Sequence, residues 1–161
     1  MRRAGKFLGL SLIAIALAAP TAAQADPGIT ANLVDGTISI SSTVCSWTNA
    51  ATSDNPPNTL TIDRNTVNRP TGNVSCNDGT TVTLNNNPVA IFNDSTGTAT
   101  ADRVSVTATQ GFVTCTFEAT GVTLTRSGTT RSYSGSFTAR KTSGSFLCPT
   151  SGSGSATLNF H

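Results

Sequence analysis

Histidine is nearly absent from this chain, and the single copy, His161, is the last residue. Acyl transfer by a Ser-His-Asp arrangement needs a histidine base held beside the nucleophile, and no Gly-x-Ser-x-Gly elbow is present either. Charge is scarce as well, at 11% of residues. Seven Lys/Arg and eight Asp/Glu follow residue 25, a net charge of −1 for that portion. Attraction to a phosphate backbone needs a basic surplus, so this balance argues against nucleic-acid binding. Aromatic residues make up 6%, with one tryptophan, Trp47, and one tyrosine, Tyr133, so a stacked sugar-binding platform has little to draw on. Beyond residue 25 no apolar run is long enough to span a bilayer as a helix.

What is present begins with a leader pattern. Arg2, Arg3 and Lys6 precede an apolar run from Phe7 to Ala19, and Ala23-Gln24-Ala25 supplies small residues for cleavage. The pattern predicts a signal peptide over residues 1–25, cut near Ala25-Asp26, and one secreted, extracellular domain over residues 26–161. Four cysteines follow: Cys45, Cys76, Cys115 and Cys148. They lack C-x-x-C spacing and have no histidine partner except the terminal one, so neither a metal site nor a cofactor is expected. In an exported chain they read as two disulfides. Of the three pairings, Cys45–Cys76 with Cys115–Cys148 is preferred, because each closes a strand-to-strand excursion of similar length. Each closure is worth about 3–4 kcal/mol in the chain-entropy picture.

Apolar residues recur at every second position, which is strand spacing. Ile38, Ile40 and Val44 alternate with Thr and Ser. So do Leu60 with Ile62, Val82 with Leu84, Val104 with Val106, Cys115 with Phe117, and Leu158 with Phe160. Asp35-Gly36, Asn77-Asp78-Gly79, Gln110-Gly111 and Ser127-Gly128 punctuate these runs as turns or breaks. Val89 to Phe92 is apolar enough for a strand buried on both faces, and the Ser/Gly tract from Ser151 to Ser155 reads as a turn. No helix is expected. Eight to ten antiparallel strands with one wet face predict an all-β fold. A β-sandwich is preferred, with an Ig-like arrangement or a partly closed barrel as the alternative.

The segments Val113-Thr114-Cys115-Thr116-Phe117-Glu118-Ala119, Lys141 to Pro149 and Ser155-Ala156-Thr157-Leu158 carry a resemblance. Together they resemble small exported β-rich, two-disulfide proteins of actinobacteria, a functionally uncharacterised family. The likeness covers residues 100–161 well and the first half loosely. It implies fold and export, and contributes no active site.

Candidate chemistry is thin. Asp63, Asp78, Asp94, Asp102 and Glu118 are the carboxylates that could pair as in a hydrolase, although Asp78 and Asp94 lie in turn sequences and Glu118 alternates outward from Phe117. Thr-x-Thr pairs recur at Thr59/Thr61, Thr81/Thr83, Thr98/Thr100, Thr107/Thr109, Thr114/Thr116 and Thr123/Thr125, the ordinary outward residues of a low-charge sheet. Trp47 and Tyr133 are the candidate ligand-facing residues. The leading expectation is a non-enzymatic envelope or matrix binding module acting through its loops or its hydroxyl-rich face. Its partner would be a cell-envelope polymer or a protein. The alternative is a carrier of a small apolar ligand, with a cavity lined by Phe92, Phe117, Tyr133 and Phe137, and a secreted hydrolase comes third.

Overall fold

In the computed structural model, which describes residues 32–161, the alternating segments form β1 (Leu33–Ile40), β2 (Thr43–Ala51), β3 (Leu60–Thr61), β4 (Ser75–Cys76) and β5 (Thr81–Leu84). They continue as β6 (Val89–Asn93), β7 (Thr98–Gln110), β8 (Val113–Arg126), β9 (Ser132–Gly144) and β10 (Ser151–Phe160). The leader predicted over residues 1–25 lies outside the described residues. The fold is all-β, antiparallel and carries two disulfides, Cys45–Cys76 and Cys115–Cys148. One helical turn, α1 (Arg64–Val67), was not expected. Asp63 caps it by accepting from the Asn65 N–H at 2.9 Å, a short-range bond that local sequence allows but does not announce.

The strands form one continuous sheet in the order β3-β6-β7-β8-β9-β10-β1-β2-β4, with β5 alongside the far half of β7. Its two halves face each other across a common interior, so the two layers of a sandwich are here the walls of a partly closed barrel. The ends of the sheet approach at two places. An isolated bridge joins Thr52, past the end of β2, to Ile62, past the end of β3. Farther along, β4 pairs with β2 while β5, one turn later, pairs with β7. Between these two places the gap is spanned by α1 and its flanks. Asn68 donates to the Leu84 carbonyl and accepts from the Leu84 N–H, and Thr66 accepts from the Ala51 N–H at 2.8 Å. Asparagine amides thus substitute for a missing strand, satisfying backbone groups that a barrel seam would leave open.

The same device covers β7 where neither β5 nor β6 reaches it. Asn86 accepts from the Ser105 N–H and donates to the Arg103 carbonyl, while Asn85 donates to Ser105 Oγ. Ser105 alternates outward as its neighbours predict, yet it is 6% exposed because this asparagine pair lies over it.

Three expectations about strands and turns are corrected. Asp35-Gly36 is not a turn: both residues lie inside β1, where the pairing with β2 is bulged between Val34 and Gly36. The Ser151–Ser155 tract is strand rather than turn, the first half of β10, paired with Ser136 to Arg140 of β9. Glycine is needed there for approach: a Cβ on Gly154 would overlap the Ser39 carbonyl. Val89 to Phe92 is a strand, but only Ala90 is buried and Phe92 half-buried. Val89 and Ile91 are 39% and 48% exposed, because β6 has the interior on one face only.

Packing is uneven along the barrel axis. At one end Phe92, Tyr133 and Phe160 meet edge-on with centroids 5.1 to 6.0 Å apart, among the buried residues Val34, Ala50, Leu60, Ile62 and Leu124. Toward the other end, inward-pointing Ile38, Ile40, Val106, Phe117 and Phe137 are only half-buried. Among the described residues nothing fills the space they face.

Candidate functional site

That space is a cavity of about 550 Å³ between the two walls. One wall comes from β5, β7 and β8 (Val82, Val104, Val106, Phe117, Ala119), the other from β1, β2, β9 and β10 (Ile38, Trp47, Phe137, Ala156), and α1 with its flank contributes Val67 and Val74 at the seam. No lining residue is ionisable, the two lining cysteines being tied in disulfides. A smaller void of about 90 Å³ continues toward the aromatic cluster and shares Ile38, Trp47, Leu84, Val104, Val122 and Ala156 with the first.

The mouth lies at the end carrying the β1–β2, β4–β5, β7–β8 and β9–β10 connections. Its polar rim is Ser41, Thr43, Thr80 and Gln110. Asp78 sits among them and draws three connections together. It accepts from Thr43 Oγ1 at 2.6 Å, from the Thr80 N–H at 3.0 Å and from Gln110 Nε2 at 3.4 Å. The Thr43 hydroxyl, then the Thr80 amide, holds its carboxyl down to about 2. Both disulfides stand beside this mouth. Cys115 and Cys45 line the cavity, and Cys148 anchors the β9–β10 connection, whose Leu147 and Pro149 close part of the rim. Cys45 and Cys76 are register partners of β2 and β4, so their bond fastens the short edge strand at the seam.

The two candidate ligand-facing residues part company. Trp47 is 8% exposed and forms part of the cavity wall, with its indole against Gly36, where a Cβ would overlap the ring. Its Nε1–H is buried without an acceptor. Tyr133 is buried in the aromatic cluster at the packed end and lines neither void. Of the four aromatics expected to line a carrier cavity, Phe117 and Phe137 line the large one, Phe92 lines only the smaller void, and Tyr133 lines neither.

The carboxylates are dispersed. Glu118 pairs with Arg103 at 2.6 Å, Asp94 pairs with Arg126, and Asp63 caps α1. Asp35 accepts from the Asn49 N–H at 2.8 Å, which lowers its pKa, and it stands 3.3 Å from His161. Among the described residues no three His, Cys, Asp or Glu side chains gather as a metal site, and no helix is long and apolar enough to cross a membrane.

Sequence reasoning did not single out Phe112, Phe146 and Leu147, which are 92%, 90% and 55% exposed at the mouth. The signal was available: Phe112 follows the turn residue Gly111, and Phe146-Leu147 falls between Ser145 and the half-cystine Cys148, outside any alternating run.

Comparison with protein-family models, with curated proteins and with solved structures finds no match. Fold and cavity therefore define the chain by themselves, as a disulfide-linked antiparallel β protein with a hollow end. Formed disulfides point to a compartment outside the reducing cytoplasm.

Proposed function

We propose that this chain is a non-enzymatic extracellular carrier that encloses a small apolar molecule in the hollow end of its barrel. The single observation behind this reading is the cavity of about 550 Å³ with its uncharged, mainly aliphatic wall. Protein interiors pack like organic crystals, and unfilled apolar space forfeits contacts on every side. A void this size falls within the range of about 300–1,000 Å³ typical of ligand sites. With no ionisable group on the wall, an enclosed charge would go unpaired, so the enclosed part of the ligand is neutral. The leader pattern and the two disulfides support export as part of the same reading.

Native mass spectrometry of the protein as isolated, with organic extraction of bound material, tests the proposal. A retained neutral apolar molecule is the expected result. Trp47, the only tryptophan, lies in the cavity wall, so its emission should shift on adding apolar probes. No retained mass and no emission change across a range of probe sizes would sink the carrier.

A second reading, recognition of an envelope polymer by the sheet face, rests on the threonine register. Thr81, Thr109 and Thr114 lie in one cross-strand row, and Thr83, Thr107 and Thr116 in the next. Their hydroxyls partly satisfy one another, at 3.1 Å for Thr109–Thr114 and 3.2 Å for Thr107–Thr116. Pull-down on insoluble cell-wall material, compared with a Thr81→Val/Thr83→Val variant, separates it from the carrier.

A further inference from the structure

The two most exposed large apolar side chains in the described part of the chain stand together. Phe112 crowns the β7–β8 turn at 92% exposure and Phe146 the β9–β10 connection at 90%. These connections are neighbours: the Ser145 N–H donates to the Thr114 carbonyl at 3.1 Å, and the Cys115–Cys148 disulfide ties them. Apolar residues also adjoin the tips on the cavity side. Val113 and Leu147, next in sequence to the two rings, both line the cavity.

We infer that the hollow end of the barrel docks on a lipid bilayer surface, with Phe112 and Phe146 as the inserting side chains and the cavity mouth facing the acyl phase. This rests on the carrier reading, because a neutral apolar ligand partitions into lipid and must be collected there. Three features favour a bilayer over a protein partner. A protein interface is a continuous apolar patch within a polar, hydrogen-bonded rim. Here two single rings project from the apices of separate turns, an arrangement suited to a fluid phase that each can enter independently. The Phe146 connection also satisfies part of its own backbone. The Leu147 N–H donates to Ser145 Oγ at 3.2 Å and the Cys148 N–H to the Ser145 carbonyl at 3.0 Å, which lowers the cost of leaving water. Finally, the disulfide ties the two connections together without help from the partner, so little ordering of the backbone is needed on contact.

The charge balance sets the kind of lipid surface. Residues 32–161 carry seven basic and seven acidic side chains, and the mouth itself holds Asp78 near Gln110 and Lys141 near Ser145. Neither sign dominates, so docking is driven by ring insertion and does not require anionic headgroups.

Flotation of the full chain with phosphatidylcholine vesicles tests this, alongside the Phe112→Ser/Phe146→Ser and Ile91→Ser variants. The wild type is expected to float with neutral vesicles, with little change at high salt. The double variant should lose at least about tenfold in partitioning, the scale set by withdrawing two phenyl rings. Ile91→Ser removes an exposed apolar residue on the outer face of β6 and should change nothing. Equal flotation of wild type and double variant would overturn the inference, since attachment would then lie elsewhere, residues 1–31 included. So would binding only to phosphatidylglycerol vesicles with release by salt, or a dimer in sedimentation that the double variant abolishes. A soluble apolar dye whose binding shifts Trp47 emission keeps the two ideas apart. Dye bound equally by wild type and double variant, with no flotation of either, defeats docking alone, whereas no dye bound by either defeats the carrier.

Discussion

Filling the hollow end discriminates between an evolved void and a core that merely looks loose, because the two give effects of opposite sign. Ala108 on β7 and Ala156 on β10 both face the cavity from different walls and are half-buried. Replacing each with leucine adds three carbons. At about 0.8 kcal/mol per buried methylene-sized group, one substitution gains about 2.4 kcal/mol of transfer free energy. Restricting the leucine rotamers takes back about 0.5–1 kcal/mol. A net stabilisation of about 1.5 kcal/mol per site follows, or about 5 °C in Tm for a domain of this size. An interior already packed to native density would respond the other way, losing about 1–3 kcal/mol to overpacking. Thermal and urea unfolding of ligand-stripped Ala108→Leu/Ala156→Leu reads the sign directly. Binding of an apolar probe should fall at least tenfold in the same protein, with retained ligand lost from the native mass spectrum. A lower Tm with unchanged probe binding would refute the reasoning from cavity to carrier.

Three further outcomes are expected. Thr43→Val removes the hydroxyl that does most to hold the Asp78 carboxyl down, so its pKa, about 2 in the parent, should rise toward the ordinary 3.8 in a carbon-detected NMR titration. Because the folded value is depressed, the associated stabilisation is complete above about pH 4 and lost as pH falls toward 2, and the variant should lose less on acidification. Cys115→Ser/Cys148→Ser should cost about 3–4 kcal/mol in urea unfolding, the loop-closure value for residues 33 apart in sequence. A loss under 1 kcal/mol would mean the β9–β10 connection is held by other contacts. Gly36→Ala sets a methyl against the Trp47 indole and should destabilise by about 1–3 kcal/mol, with a shift in tryptophan emission that a mutation merely loosening the strand end would not produce.

Why the strands and disulfides were readable while the site was not comes down to the range of the signals. Alternation such as Val104-Ser105-Val106 is written in adjacent residues, and it assigns inward and outward faces without knowledge of any partner strand. Cysteine pairing was readable from spacing, each bond closing a similar excursion, although β3 and α1 intervene between the register neighbours Cys45 and Cys76. Glycine in β10 misled for a related reason. Ser-Gly-Ser-Gly is turn composition by local preference, and only the nearness of the Ser39 carbonyl and the Phe137 ring makes glycine the residue a strand requires there. The cavity is less local still. Val104, Val106 and Phe117 have the same inward phase as Leu124 and Phe160, yet one set looks into empty space and the other into packed side chains. No residue type marks that difference, because it depends on how far apart the walls are held. The means of holding them apart can be named. The large aromatics Phe92, Tyr133 and Phe160 fill one end of the barrel, the asparagine bonds of Asn68, Asn85 and Asn86 replace strand pairing at the seam and along β7, and two disulfides fix the rim. Walls fixed by covalent and hydrogen bonds do not need the interior contacts that keep an ordinary core closed, so the hollow end can stand open to a ligand without the sheet collapsing on itself.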